Sequence, residues 1–372
     1  MAPKRIQVER ASNPRSRPAK SGPIRSTYDT LSSPENSAVV KSLAAFGIAV
    51  TFLTSSWAEW LLVLTAESLA HRRTGSSDAT SQSWLRADPI MYPGVTSEYL
   101  HTIMGGDAFD LAMDYEKTQT SDCTTCGVTK DLSNYWVPTV YFYAENGSFI
   151  SVEQVGGINV YYQERMDWTD YCAGKTLQPF PKEFRMIAGD LHLLTNGETG
   201  LPSYSGFPDR PCPGGLQIRI RFPSCWGGKN DDSPDHRSHI RYPSGMNNGP
   251  CPKTRLARIP GLLYGMTWNV EAFDHLRKPG DQPFVLSQGD PTGFGYHADF
   301  LNGWDIELLE RALRDLTCGN ASGGRIDFCE TFQPFLQNSR VQNLCPSIPS
   351  KARSRIWQSC RSPGLRSCPI RA

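Results

Sequence analysis

Charge is sparse in this chain. Lys, Arg, Asp and Glu make up 20% of its 372 residues and cancel to a net charge of +1. No overall field is therefore available to steer nucleic acid or anionic lipid, and a nucleic-acid partner is not expected. No repeat of 20–50 residues is visible, and GxGxxG, Walker, GxSxG and HExxH motifs are all missing. The enzyme classes built on those motifs lose their support. Long apolar runs are lacking too, except for one near the N-terminus.

What is plentiful is glycine (32), proline (28) and cysteine (11). The first two suit short strands joined by tight turns better than long solvated helices. The cysteines stand at 123, 126, 172, 212, 225, 251, 318, 329, 345, 360 and 368, all after the long apolar segment. That is the pattern of a translocated disulfide domain in an oxidising compartment, and the odd total leaves at least one thiol unpaired. Cys123-Thr-Thr-Cys126 could be read as a redox or zinc motif. No second CxxC or HxxxH stands at finger spacing, so structural disulfides are the stronger reading, and the two cysteines need not pair with each other.

Residues 1–41 are basic and rich in Ser and Pro, with few large apolar side chains, and are expected to be disordered. Residues 42–58 (SLAAFGIAVTFLTSSWA) carry no charge, and a second apolar stretch runs to residue 66. Residues 42–66 read as the hydrophobic part of a signal peptide or, if uncleaved, as a membrane anchor with the chain beyond it translocated. A polar linker over 67–83 precedes the domain proper, residues 84–345, and a basic Ser/Pro-rich tail over 346–372 reads as unfolded. The sequons at Asn146 and Asn320 agree with a secretory route.

Within the domain, residues 136–142, 149–152, 158–162, 184–187, 216–222 and 284–286 are short, aromatic or β-branched runs that predict strands. Residues 216–222 (LQIRIRF) alternate strictly, so one face is buried and the other wet. Residues 305–316 (DIELLERALRDL) predict a helix with Ile306, Leu308, Leu309, Leu313 and Leu316 on its apolar stripe and Asp305 as its cap. The expected architecture is a mainly β, antiparallel sandwich-like single domain with long loops and a C-terminal helix.

Four segments are distinctive in combination. They are residues 86–106, with Arg86-Ala-Asp88-Pro89-Ile90, Pro93-Gly94, His101 and Gly105-Gly106; residues 133–138 (SNYWVP); residues 222–239, from Phe222-Pro-Ser-Cys225-Trp226-Gly-Gly to Asp235-His-Arg-Ser-His239; and residues 289–305, with Gly289-Asp290-Pro291, His297-Ala-Asp299-Phe300 and Asn302-Gly-Trp304-Asp305. In this order they resemble a secreted fungal family described only as a domain of unknown function, DUF1996, often found beside carbohydrate-binding WSC modules. The resemblance implies an extracellular or wall-associated protein and no particular activity. The chain departs from the family's usual pattern at two places. Tyr99-Leu100-His101 keeps only the second histidine of a His-x-His pair, and Gly265 stands where a glutamate is expected before Trp268. At both ends, residues 66–83 and 346–372 also differ from the family's texture, as a displaced exon would make them.

Three kinds of chemistry are open to the shared segments. His101, His236, His239 and His297 could hold a divalent metal, Cu or Zn, with Asp235 or Asp299 orienting a ring; among Asp, Ser and Asn, such histidines also serve as hydrogen-bonding struts. Asp235, His236, Asp290 and Asp299 are candidates for acid–base catalysis of glycoside cleavage, although Asp beside Pro or Gly is ordinary turn chemistry. Trp226, Trp304 and Tyr296 could stack on sugar rings, or serve as core anchors. The function expected is binding to, or action on, wall polysaccharide through a polar His/Asp cleft. The rivals are a non-catalytic wall or matrix protein and a metal-dependent, polysaccharide-active enzyme.

Overall fold

A computed structural model describes residues 62–65, 83–163, 166–193, 206–319 and 325–345, all within the unit Trp60–Ala372. Two antiparallel sheets dominate. One has four strands in the order β1 (Leu62–Thr65), β7 (Gln154–Gln163), β13 (Gly261–Trp268) and β9 (Leu216–Arg221). The other has five, in the order β2 (Ser83–Ala87), β3 (Thr96–Gly105), β4 (Asn134–Pro138), β15 (His297–Leu301) and β8 (Arg185–Gly189). Successive side chains on a strand point to opposite faces, so each sheet sends alternate residues inward. Ile158, Val160 and Tyr162 of β7 and Leu262, Tyr264 and Met266 of β13 share one core with Tyr135 and Val137 of β4, Ala298 and Phe300 of β15, and Met186 and Ala188 of β8. This is a sandwich, as the composition suggests.

The five-stranded sheet is covered on its other face as well. Leu85, Ile103, Trp136, Ile187 and Leu301 form a second, smaller core there with Ile90 and Phe109. All five residues of β15 are buried, which leaves neither of its faces wet. Two small sheets complete the strands: β5 (Val140–Tyr143) between β14 (Phe284–Leu286) and β6 (Phe149–Ser151), and β10 (Cys225–Trp226) between β11 (Ile240–Arg241) and β12 (Ala257–Arg258).

The predicted strand over 136–142 is in fact two. Pro138 closes β4, Thr139 makes the step, and β5 leaves for a different sheet. Proline has no N–H to continue a ladder, which accounts for the break. The predicted helix is present as Ile306–Arg314, with Asp305 accepting from the Leu308 amide at 3.0 Å. It stops before Leu316, which is 86% exposed, because Asp315 turns its carboxylate onto the Thr317 amide and hydroxyl and starts a 3-10 turn. The sequon at Asn146 occupies the exposed tip between β5 and β6; Asn320 lies outside the described residues. Of the apolar leader only β1 is described, as an edge strand paired with β7. Among the described residues no helix is long and apolar enough to cross a membrane.

Among the described residues three disulfides brace the domain: Cys123–Cys345, Cys225–Cys251 and Cys318–Cys329. They are consistent with an extracellular protein. Cys126 does not pair with Cys123; it is buried and free, while Cys172 and Cys212 are free and more exposed. Burial pushes the Cys126 thiol well up, so it is inert. Beside it a polar chain crosses the main core. The Trp304 indole donates to the Tyr162 hydroxyl at 2.7 Å, that hydroxyl lies 2.8 Å from Tyr135 Oη, and the Tyr135 hydroxyl donates to Asp131 at 2.6 Å. Burial raises the Asp131 carboxyl to about 6, against the opposing pull of these bonds.

Cys123–Cys345 spans 222 residues of sequence. In the chain-entropy account, a Cys123→Ala, Cys345→Ala variant is expected to lose about 5 kcal/mol of unfolding free energy by denaturant titration. The raised carboxyl of Asp131 gives a second expectation. A carboxyl that holds its proton more tightly when folded loses stability as pH rises from the unfolded value through about 6. The gain of Asp131→Asn over wild type should therefore grow by about 3 kcal/mol between pH 3.5 and pH 7. A flat difference across that range would refute it.

Candidate functional site

Residues paired across the five-stranded sheet assemble the most unusual group of side chains. His101 on β3 is in register with Pro138, Trp136 with both Ile103 and Asp299, and His297 with Gly189. Alternation then places Tyr99, His101, Trp136, His297 and Asp299 on one face, that of the smaller core. One donor atom from each of His101, His297 and Asp299 lies within 4.8 Å of the others. The rings of Tyr99 and His101 are 4.6 Å apart, and those of His101 and His297 6.0 Å apart.

Hydrogen bonding fixes one ring of the three. His297 Nδ1 is 3.1 Å from the Gly295 carbonyl, which can only accept, so Nδ1 carries the proton. Nε2 is then an acceptor and takes the Tyr99 hydroxyl at 3.1 Å. His101 and Asp299 make no such bonds. Among the described residues neither ring nitrogen of His101 and neither carboxyl oxygen of Asp299 has a hydrogen-bond partner, and both side chains are fully buried. The Ala87 backbone faces His101 without reaching hydrogen-bond geometry.

Burial sets the charges. It pushes His101 down to about 3 and, with His101 close by, His297 down to about 4, so both imidazoles are neutral at ordinary pH. Burial likewise holds the Asp299 carboxyl well above the usual range; the Asp88 carboxylate adds to this and Arg237 opposes it. Asp88 is itself raised by burial, although one of its oxygens accepts from the Ile90 and Met91 amides at 3.2 and 3.1 Å. Its other oxygen faces the Trp136 indole without reaching hydrogen-bond geometry, and Arg237 Nε has no partner among the described residues.

The remaining candidates fall elsewhere. Residues 232–239 form a tight turn wound around Asp235, with His236 in a left-handed conformation at φ 53°. Partial burial works against the charged form of Asp235. Bonds from Ser233, both the amide and hydroxyl of Ser238, and the Arg237 amide outweigh it and hold the carboxyl well below its usual range. His236 bonds Asp232 at 2.8 Å and His239 bonds the Ser233 hydroxyl at 2.9 Å. These two histidines stay with their own turn, which instead sends Arg237 toward the buried group. Asp290 closes its loop by accepting from Thr292 and Gly295. Trp226, Trp304 and Tyr296 all point inward: Trp304 is fully buried and stacks on Phe332, Trp226 donates to the Asn230 carbonyl, and Tyr296 reaches Met266 Sδ. None offers a ring face to solvent. Gly265 lies on the face of β13 opposite Tyr264 and Met266, so a glutamate there would not reach the buried group.

Sequence reasoning passed over Tyr99 and Arg237. Tyr99 could have been found from its spacing, two residues before His101 on one strand; Arg237 carried no such signal.

A separate groove of about 760 Å³ opens beyond the far end of the same strands. Tyr115 and Gln119, from and just after the short helix Tyr115–Thr118, line it with Ser121, Asp122, Lys130, Lys182, Glu307 and Gln337. Lys182 lies over the Tyr115 ring at 5.3 Å. From His101 to Gly105 at that end is roughly 13 Å along the strand.

A family model described as "Domain of unknown function (DUF1996)" matches residues 88–304, more than half of the chain. No curated protein and no solved structure matches it.

The partnerless nitrogens of His101 yield a testable cost. With a chelator present, His101→Leu, which fills a similar volume without polar atoms, is expected to raise the unfolding free energy by about 1–3 kcal/mol. Destabilisation of that size would mean that the ring has partners the geometry does not show.

Proposed function

The chain belongs to the DUF1996 family, and from that premise we propose that it is an extracellular protein whose domain binds wall polysaccharide in the groove beside Tyr115. The observation that carries this reading is the lining of the groove. Its size is that of a ligand site, and its side chains supply both donors and acceptors. Lys130 and Lys182 face Asp122, Asp305 and Glu307, so neither sign of charge dominates. A neutral chain of hydroxyls fits such a surface better than a polyanion, and a polyanion would need the excess positive charge that both groove and chain lack.

A second reading, a non-catalytic structural protein of the wall or matrix, draws support from one observation. The indoles of Trp226 and Trp304 and the phenol of Tyr296 are spent on packing and not displayed for stacking on sugars.

Sedimentation with insoluble β-glucan and chitin, and calorimetric titration with their soluble oligomers, separate the two. Saturable binding is expected, weakened about tenfold by Lys182→Ala or Glu307→Ala, each the loss of about one hydrogen bond to a charged group. Binding to neither polymer, or binding indifferent to both substitutions, would favour the structural protein.

A further inference from the structure

We propose that His101, His297 and Asp299 are the protein ligands of a divalent transition-metal site of the zinc or copper type. The inference stands apart from the groove and does not depend on polysaccharide binding.

The donor set comes first. Two imidazoles and one carboxylate, offered from β3 and β15 with one donor atom each within 4.8 Å of the others, are the ligand types that zinc and copper(II) take. Ligands about 2 Å from one ion sit about 3.3 Å apart, so the three side chains would turn inward on binding.

The second observation is independent of ligand type. A fold normally pairs its buried polar atoms, because an unmade hydrogen bond in the interior costs stability. Here four such atoms on two fully buried side chains, the ring nitrogens of His101 and the carboxyl oxygens of Asp299, have no partner among the described residues, and one nitrogen and one oxygen of them lie within 4.8 Å of each other. An ion between them would use one nitrogen and one or both oxygens at once.

The third is orientation. A ligating histidine is held by donating its other nitrogen to a backbone carbonyl or carboxylate. His297 does so to Gly295, and its Nε2 needs only to exchange the Tyr99 hydroxyl for the ion. The Ala87 backbone faces His101 in the corresponding place. Asp88, whose carboxyl faces the Trp136 indole, lies close enough to both His297 and Asp299 to share in balancing a dication. The other group of close donors, Asp315 with Cys318 and Cys329, is no rival, since both sulfurs are tied in a disulfide.

The test uses the full chain secreted from a eukaryotic host, stripped with chelator and dialysed against Zn²⁺, Cu²⁺, Ca²⁺ or Mg²⁺ alone. Elemental analysis should find one Zn or Cu ion retained per chain, with a raised unfolding temperature. Ca²⁺ and Mg²⁺, which favour all-oxygen sites, should not be retained. His101→Leu and Asp299→Asn should each weaken binding about 100-fold, while His239→Gln, outside the group, should not. In the copper form, electron paramagnetic resonance should show coupling to two imidazole nitrogens in wild type and to one in His101→Leu. Because His101→Leu is expected to fold at least as well as wild type, its loss of metal cannot be put down to misfolding. Failure to retain either transition metal, retention of Ca²⁺ or Mg²⁺ alone, or undiminished binding in both variants would overturn the assignment.

Discussion

The alternation of one central strand governs most of this molecule. Strand β15 reads His-Ala-Asp-Phe-Leu and is buried on both faces. Ala298 and Phe300 point into the main core, while His297, Asp299 and Leu301 point into the smaller one. A slip of one residue would drive a carboxyl and an imidazole among Tyr264, Phe222 and Phe180 and strand Phe300 among polar groups. Register is therefore strongly specified. The antiparallel partners β4 and β8 hold it over three and five residue pairs.

That arrangement separates two tasks. The face toward the sandwich is mostly apolar and carries a polar chain, Trp304–Tyr162–Tyr135–Asp131, in which each hydroxyl has a partner, while the indole nitrogen of Trp268 there has none. The opposite face carries polar atoms that the chain does not satisfy. The groove at the other end of the strands is lined by both signs of charge. Roughly 13 Å of strand separates the two, farther than a single ligand ring reaches.

Much of the fold was legible where a local rule operated alone. Strand β14 coincides with its prediction, and β9 nearly so, because alternation or aromatic density marks them. Asp305 announced the helix start correctly, but nothing in the stripe foretold that Asp315 would end it. Strands β3, β13 and β15 escaped notice for a common reason: each is covered on both sides or holds glycine or charged residues, so none shows the one-wet-face pattern. Of these, β3 and β15 carry the buried site, and the polar residues that hid them as strands are the ones that make it. His101, His297 and Asp299 were legible as residue types; their meeting was not, since it depends on a register between segments nearly 200 residues apart. The pull of two histidines at 236 and 239 also concealed Arg237 between them.

The Cys123–Cys345 bond has a mechanical consequence. A protein held at one end and drawn at the other carries tension along its covalent path. Here that path enters at Cys123, crosses one disulfide and leaves at Cys345, so everything from β4 to the short helix Ser339–Leu344 is shunted out of the line of force. Only β1, β2 and β3, which precede Cys123, would bear the load through their hydrogen-bond ladders. Under tension β3 would peel from β4, parting His101 from His297 while the rest of the sandwich stayed shut.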